Sequence, residues 1–333
     1  MNIKTWILIC SIVNTGLLTH AQQYSVNKNA HSHNDYLQPQ PFYTAYANRF
    51  ASIEIDVFLK NDSLYVAHEE KEIKAGHTIQ NLYLKPLLEQ VALQKDKVYP
   101  DGGKLQFLID LKTAGVPTLR ALEKQLKPIR NYFNVNKNTD AVRLVISGNM
   151  PTPDQFQEFD SIFFFDGRRN VNYSDEQQRR IAVYSASFQD FSVWNGLGRI
   201  TAPERQGVKA FIDSVHHLGK PVRFWGCPDT KTAWQAFIKL GVDYLNTDSP
   251  NELAAFLNKY ASNSYTRKGI HEVYQPTYRR DGIEGKVKRV ILLISDGAGF
   301  NQQWAAATVN GGQLNMTQFR NIGFQNTAPA DDY

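Results

Sequence analysis

Between Val26 and Tyr260, eight short β-type runs alternate with eight amphipathic helical stretches, a pattern that restricts the chain to an α/β fold. The runs are Val26–Ala30, Ser52–Phe58, Leu105–Leu111, Ala141–Ser147, Ile162–Asp166, Ile181–Ser187, Pro221–Trp225 and Tyr244–Thr247. The helical stretches fall near 41–50, 82–94, 118–129, 153–159, 175–180, 204–218, 232–240 and 250–259. Thr152-Pro153 and Ser249-Pro250 supply helix starts, and Gly219 and Gly241 stand where helices end. Eight units in about 235 residues predict a (β/α)8 TIM barrel. The competing doubly wound sheet needs a glycine-rich dinucleotide turn that this chain lacks. A further extended piece, Leu64–His68, follows the second run after an Asn61-Asp62 turn.

In a barrel of this kind the chemistry sits where strands end. Glu54 and Asp56 lie one residue apart on a strand, so both carboxylates point to one side. Asp110 and Lys112 repeat the arrangement on the next strand. Three carboxylates from adjacent strands make an oxygen-rich site suited to Mg²⁺ or Ca²⁺, with Lys112 as a phosphate contact. His31, His33 and His68 fall at neighbouring strand ends and supply groups that titrate near neutral pH. His31 and His33 share a face, so spacing does not separate them. Asn34, Arg168 and Trp225 join the expected substrate rim, together with Ser147, Asn149, Asp166, Asn246 and Asp248. A divalent metal with two histidines can cleave a phosphodiester.

The first residues read as an export signal: Lys4, an apolar stretch from Trp6 to Leu18, and a cleavage site near Ala21. That stretch is too short to span a membrane, and residues 1–21 are expected to be removed during export to the periplasm or the outside of the cell. Cys10 falls inside the signal, leaving Cys227 with no intrachain partner. The formal charge of +5 is spread along the chain without basic runs, which gives no nucleic-acid signature. The expected partner is a small-molecule or lipid phosphodiester, with peripheral membrane contact as an open option.

At these residues the chain resembles the phosphatidylinositol-phospholipase-C-like phosphodiesterase superfamily, which includes glycerophosphodiester phosphodiesterases. Ala30-His31 is similar to the family's opening histidine, Ser52–Val57 to its Glu-x-Asp metal strand, and Tyr65–Glu69 to its second histidine. Leu108–Lys112 stands where the third acid and a lysine are expected, and Gly241–Pro250 resembles the closing strand. The opening reads His-Ser-His-Asn-Asp-Tyr rather than His-Arg-Gly, and the third acid is Asp rather than Glu. That form resembles the branch related to yeast altered-inheritance-of-mitochondria protein 6. The resemblance implies a metal held by Glu54, Asp56 and Asp110, with His68 and one of His31 and His33 as acid and base. It favours His31, which also directly follows the apolar strand.

After Tyr260 a polar stretch to Lys288 reads as a linker. The apolar run Arg289–Ile294, expected as a strand, leads into Ser295–Gly299 and a helical stretch from Asn301 to Thr308. Residues 289–333 resemble the truncated start of an alkaline phosphatase domain, in which Asp296 would be a vestigial metal ligand. One carboxylate cannot hold a two-metal site, so phosphomonoesterase activity is not expected of this chain. The alternative to an enzyme is a non-catalytic barrel module attached to a longer phosphatase.

Overall fold

The computed structural model describes residues 24–260, 262, 269–321 and 323, so the expected export signal lies outside the described residues. The chain divides into two compact units, Met1–Asn263 and Ser264–Tyr333.

In the first unit the chain runs α1 (Val26–Asn29), β1 (Ala30–Ser32), α2 (Tyr43–Ala47), β2 (Ser52–Lys60) and β3 (Ser63–Val66). It continues with α3 (Lys85–Leu93), β4 (Gln106–Leu111), α4 (Gly115–Leu126), β5 (Arg143–Gly148) and β6 (Phe163–Gly167). Then come α5 (Asp175–Arg180), β7 (Ile181–Ser187), α6 (Ala202–His217), β8 (Val222–Trp225), α7 (Lys231–Leu240), β9 (Leu245–Thr247) and α8 (Pro250–Tyr260). The sheet order is β8-β7-β6-β5-β4-β2-β1-β9, all parallel, with β3 antiparallel against β2 as a hairpin. A parallel bridge between Arg223 and Tyr244 joins the two ends of this order. The result is a nearly closed barrel of eight parallel strands.

The apolar groups divide as strand alternation requires. The main core packs strands against helices around Ile53, Ile55, Phe107, Ile109, Phe163 and Phe165. A second cluster holds Leu108, Val145, Ala182 and Val183, with Phe164 and Tyr244 against it. Leu108, Val145 and Phe164 precede Asp110, Ser147 and Asp166 by two positions on the same faces. The apolar cluster is therefore the floor on which the polar groups of the barrel interior stand.

Two expected elements of this unit differ. Val26–Asn29 is a helical turn instead of the start of a strand, because the Asn29 side chain accepts from Ser25 N at 3.0 Å and donates to Asp243 O at 2.8 Å. Those bonds fold the segment back and leave only Ala30–Ser32 to pair. The stretch at Pro153–Glu158 is a 3₁₀ helix rather than an α-helix.

The second unit contains α9 (Phe300–Val309) and a 3₁₀ turn at Asn315–Gln318, tied by bonds such as His271 N to Asn310 Oδ1 at 2.7 Å. The expected strand Arg289–Ile294 is not one: its side chains from Val290 to Ile294 are about four-fifths exposed. Among the described residues no segment pairs with it, and a strand without a ladder partner leaves its backbone groups to water. None of the unit's described residues is buried.

Gly148 ends β5 at φ +67°, and a Cβ there would lie 2.2 Å from Asp110 Oδ1 and 2.6 Å from Leu111 O. Gly148→Ala should therefore lower stability by about 1–3 kcal/mol through strain, measured as a lower urea midpoint. It should also displace the Asp110 carboxylate.

Candidate active site

Parallel register brings the carboxylates together. Asp56 lies opposite Asp110 on β4, and Asp110 lies opposite Ser147 on β5. Glu54, Asp56 and Asp110 each present an oxygen, all within 4.8 Å of one another. Lys112 places Nζ 2.9 Å from Asp56 Oδ2 and 3.3 Å from Asp110 Oδ1, bridging the pair. Asp56 Oδ1 is buried and, among the described residues, has no hydrogen-bond partner. Burial first, and then the Glu54 charge, push the Asp56 carboxyl above its ordinary range despite Lys112. An unpartnered buried carboxylate oxygen beside two further carboxylates fits a hard cation with oxygen ligands. Glu54, Asp56 and Asp110 are the residues that could hold it.

His31 is fully buried in the ring. Its Nδ1 lies 2.7 Å from Ser52 Oγ and its Nε2 3.0 Å from Glu54 Oε2. Burial and then Arg223 lower its pKa to about 3, so the ring is neutral. Glu54 is opposed by burial, but Arg223 and His31 outweigh it and hold the carboxyl far below the usual range. Arg223 is itself buried, donating from one terminal nitrogen to Glu54 Oε2 at 2.5 Å and from Nε to Asn246 Oδ1 at 2.9 Å.

His33 sits closer to solvent, with Nδ1 2.7 Å from Asp248 Oδ1. Its pKa is raised, because the hydrogen bond to Asp248 and the Glu54 charge together outweigh burial. Asp229 Oδ2 accepts from the Asp248 amide at 2.8 Å and from Thr247 Oγ1 at 3.0 Å, fixing the end of β9. His68 is half exposed, with Nδ1 3.4 Å from Asp56 Oδ2 and 3.2 Å from the Tyr36 hydroxyl. Tyr36 also reaches Asp56 Oδ2 and Asn34 Oδ1, each at 2.7 Å. Burial and then Asp56 push its hydroxyl pKa far up, so it keeps its proton.

The structure thus brings Glu54, Asp56, Asp110, Lys112, His31 and His68 into one network. His33 and Asn34 connect to it at the rim through Tyr36. Arg168 is exposed and donates to Gly148 O, at the edge of the mouth. Trp225 ends β8 and is half exposed. Asp296 belongs to the second unit, where it is exposed. His216, in α6, pairs with Asp243 at 2.8 Å.

Sequence reasoning passed over Arg223 and Tyr36. Arg223 carries a signal: a charge inside the apolar run Pro221–Trp225, on the same face as Trp225. Such a charge must find a partner within the fold. Tyr36 carries none beyond its place in His-Asn-Asp-Tyr.

With the geometry in place, the chain compares with known proteins as follows. Residues 20–166 match the AIM6-like phosphodiesterase domain, and residues 221–251 match the glycerophosphoryl diester phosphodiesterase family. Neither match reaches the second unit. The altered inheritance of mitochondria protein 6 homolog of Arthroderma benhamiae is 28% identical over 254 residues, covering 66% of this chain and 81% of the relative. The altered inheritance of mitochondria protein 6 of Kluyveromyces lactis is 26% identical over 307 residues, covering 71% and 73%. Among solved structures, a glycerophosphodiester phosphodiesterase from Parabacteroides distasonis has a TM-score of 0.45 at 16% identity, covering 72% of this chain and all of that one. One from Agrobacterium tumefaciens has a TM-score of 0.41 at 14% identity, covering 69% and 97%. The two family matches together contain every residue of the carboxylate–histidine network.

Asp166, on β6, is buried and accepts from Ser147 Oγ at 2.9 Å. Burial raises its carboxyl to about 6 against the opposing Arg223 charge. A raised acid holds its proton in the folded state after the unfolded chain has lost it, so stability falls as pH rises from about 4 through 6. Asp166→Asn removes that dependence. Relative to wild type, the variant should gain up to about 3 kcal/mol between pH 4 and pH 7.5, read from urea unfolding at each pH.

Proposed function

We propose that the barrel is a metal-dependent phosphoric diester hydrolase. The observation that carries this reading is the unpartnered Asp56 Oδ1, set among Glu54, Asp110 and Lys112 and flanked by two histidines that touch the same carboxylates. Bound there, Mg²⁺ or Ca²⁺ would supply charge neutralisation to the phosphate. Lys112 adds a positive charge at the same carboxylates and takes the phosphate contact. His31, on the family resemblance, and His68 are assigned the proton transfers, one from the attacking hydroxyl and one to the leaving oxygen, a role that requires substrate binding to free His31 from its bonds to Ser52 and Glu54. They contact Glu54 at 3.0 Å and Asp56 at 3.4 Å, whereas His33 is held at the rim by Asp248. Asn34, Arg168 and Trp225 line the approach and bind the remainder of the substrate, a glycerophosphodiester or phospholipid-type diester. The Lys4–Ala21 segment supports export of this enzyme. For residues 289–333, the likeness to the start of an alkaline phosphatase rests on the sequence around Ser295–Gly299, and Asp296 is given no part in the diester chemistry.

A panel of glycerophosphodiesters, lysophospholipids and phosphoinositides should show hydrolysis that stops with chelator and returns with Mg²⁺ or Ca²⁺. Unchanged turnover in chelator would refute the metal requirement. Glu54→Ala or Asp56→Ala should abolish activity and weaken divalent-ion binding by calorimetry. His31→Gln and His68→Gln should each cost about 10² to 10⁴ in rate, and His33→Gln much less. A dead His33→Gln beside an active His31→Gln would exchange the two assignments.

A further inference from the structure

The segment Ser32–Leu37 is built more firmly than a loop needs to be. Asp35 is buried, and its Oδ1 accepts from Ser32 Oγ at 2.7 Å. Its Oδ2 accepts from the Phe42 amide at 2.6 Å and from the Tyr83 hydroxyl at 3.0 Å. Asn34 takes a left-handed backbone, φ 46° and ψ 41°, a conformation that persists where surrounding contacts over-determine it. The anchored turn holds the Tyr36 hydroxyl among three polar groups: Asp56 Oδ2 at 2.7 Å, the Asn34 side-chain amide at 2.7 Å and His68 Nδ1 at 3.2 Å.

With Asp56 ionised, one arrangement of protons satisfies these contacts, the His33 Nδ1 proton being shared between Asp248 and Asn34. A hydroxyl has one proton to give and two lone pairs. His33 Nδ1 lies 2.7 Å from Asp248 Oδ1. A carboxylate only accepts, so that nitrogen carries a proton. The Asn34 amide places Nδ2 3.0 Å from the same nitrogen and Oδ1 2.7 Å from Tyr36; exchanging its two ends, which have nearly the same shape, turns the oxygen toward His33 and the NH₂ toward Tyr36. Tyr36 accepts from Asn34 and gives its proton to Asp56. Its second lone pair is left for the third neighbour, and His68 Nδ1 can fill it only as a donor.

We propose that Tyr36 is a positioning residue that fixes His68 as the Nδ1–H tautomer and leaves its Nε2 lone pair free to accept a proton. The inference deepens the hydrolase reading and rests on it for its catalytic meaning. The hydrogen-bond chain itself does not. Tyr36 would thereby couple the proton-accepting nitrogen of His68 to Asp56, one of the proposed metal carboxylates.

The test needs no turnover. Long-range ¹H–¹⁵N correlation spectra of the metal-free full chain at pH 9, above the ordinary imidazole range, report which ring nitrogen of His68 carries the proton. His68→Gln identifies the signal. Wild type should show Nδ1–H, and Tyr36→Phe, which keeps the ring packing and leaves Asp56 Oδ2 3.4 Å from the same nitrogen, should shift a measurable part of the population to Nε2–H. An Nε2–H wild type overturns the proposal even if the variant does not fold, and so does a Tyr36→Phe spectrum unchanged from wild type. On a diester that the wild type hydrolyses, Tyr36→Phe should lower kcat about 10- to 100-fold with KM changed less than about threefold. A purely packing role would leave kcat near wild type and would also refute the proposal. If no diester is hydrolysed, the hydrolase reading fails by itself and the tautomer result still decides the fate of Tyr36.

Discussion

The buried ion pair between Arg223 and Glu54 is the constraint on which the barrel's interior depends. Barrel closure is weakest between β8 and β9, where one bridge, Arg223 to Tyr244, joins the ends of the strand order. The Arg223 side chain crosses that seam to Asn246 on β9 and reaches Glu54 on β2, which in turn meets His31 on β1. One guanidinium therefore ties four strands. A charge inside an apolar ring is tolerable only when paired, and removing one partner of a buried pair costs about 3–5 kcal/mol. The same pair holds Glu54 ionised, so the seam's closure and the negative charge at the centre of the site have one cause.

The site has two tiers with different tasks. The inner tier, His31, Glu54, Arg223 and Asn246, is buried, with its hydrogen bonds made among its own members and Ser52. The outer tier, Asp56, Asp110, Lys112 and His68, stands nearer the mouth and leaves one carboxylate oxygen unpartnered. The two-position step along β2 from Glu54 to Asp56 makes this division, because alternate positions on a strand share a face at successive depths.

Much of this was legible in the sequence. The alternation of runs and helices indicated the barrel, and the spacing of Glu54, Asp56 and Asp110 put three acids on inward faces. Period-two alternation reports a side chain's face but not its depth or its partner across the ring. That is why His31 and His33 were inseparable before the structure sealed one and left the other at the rim. It is also why Arg223, distant in sequence from Glu54, gave only an anomaly in an apolar run. Val26–Asn29 escaped because its fold is set by a side-chain bond to Asp243 more than two hundred residues away. The apolar run from Val290 to Ile294 has every local property of a strand, yet pairing is a property of two segments and local sequence describes one.

The balance of charge at the mouth gives the clearest argument for an added cation. Arg223 is spent on Glu54, and Lys112 is shared between Asp56 Oδ2 and Asp110 Oδ1. Tyr36 donates to the Asp56 oxygen that already has Lys112, so the protein's own donors converge on Oδ2 and leave Oδ1 bare. A fold under selection for stability alone would have turned one of those donors toward the bare oxygen, since an unmet buried acceptor costs about 1–3 kcal/mol. Glu54, Asp56 and Asp110 each offer one oxygen within 4.8 Å of the others, and the bare Oδ1 leaves Asp56 with an unused acceptor beside them.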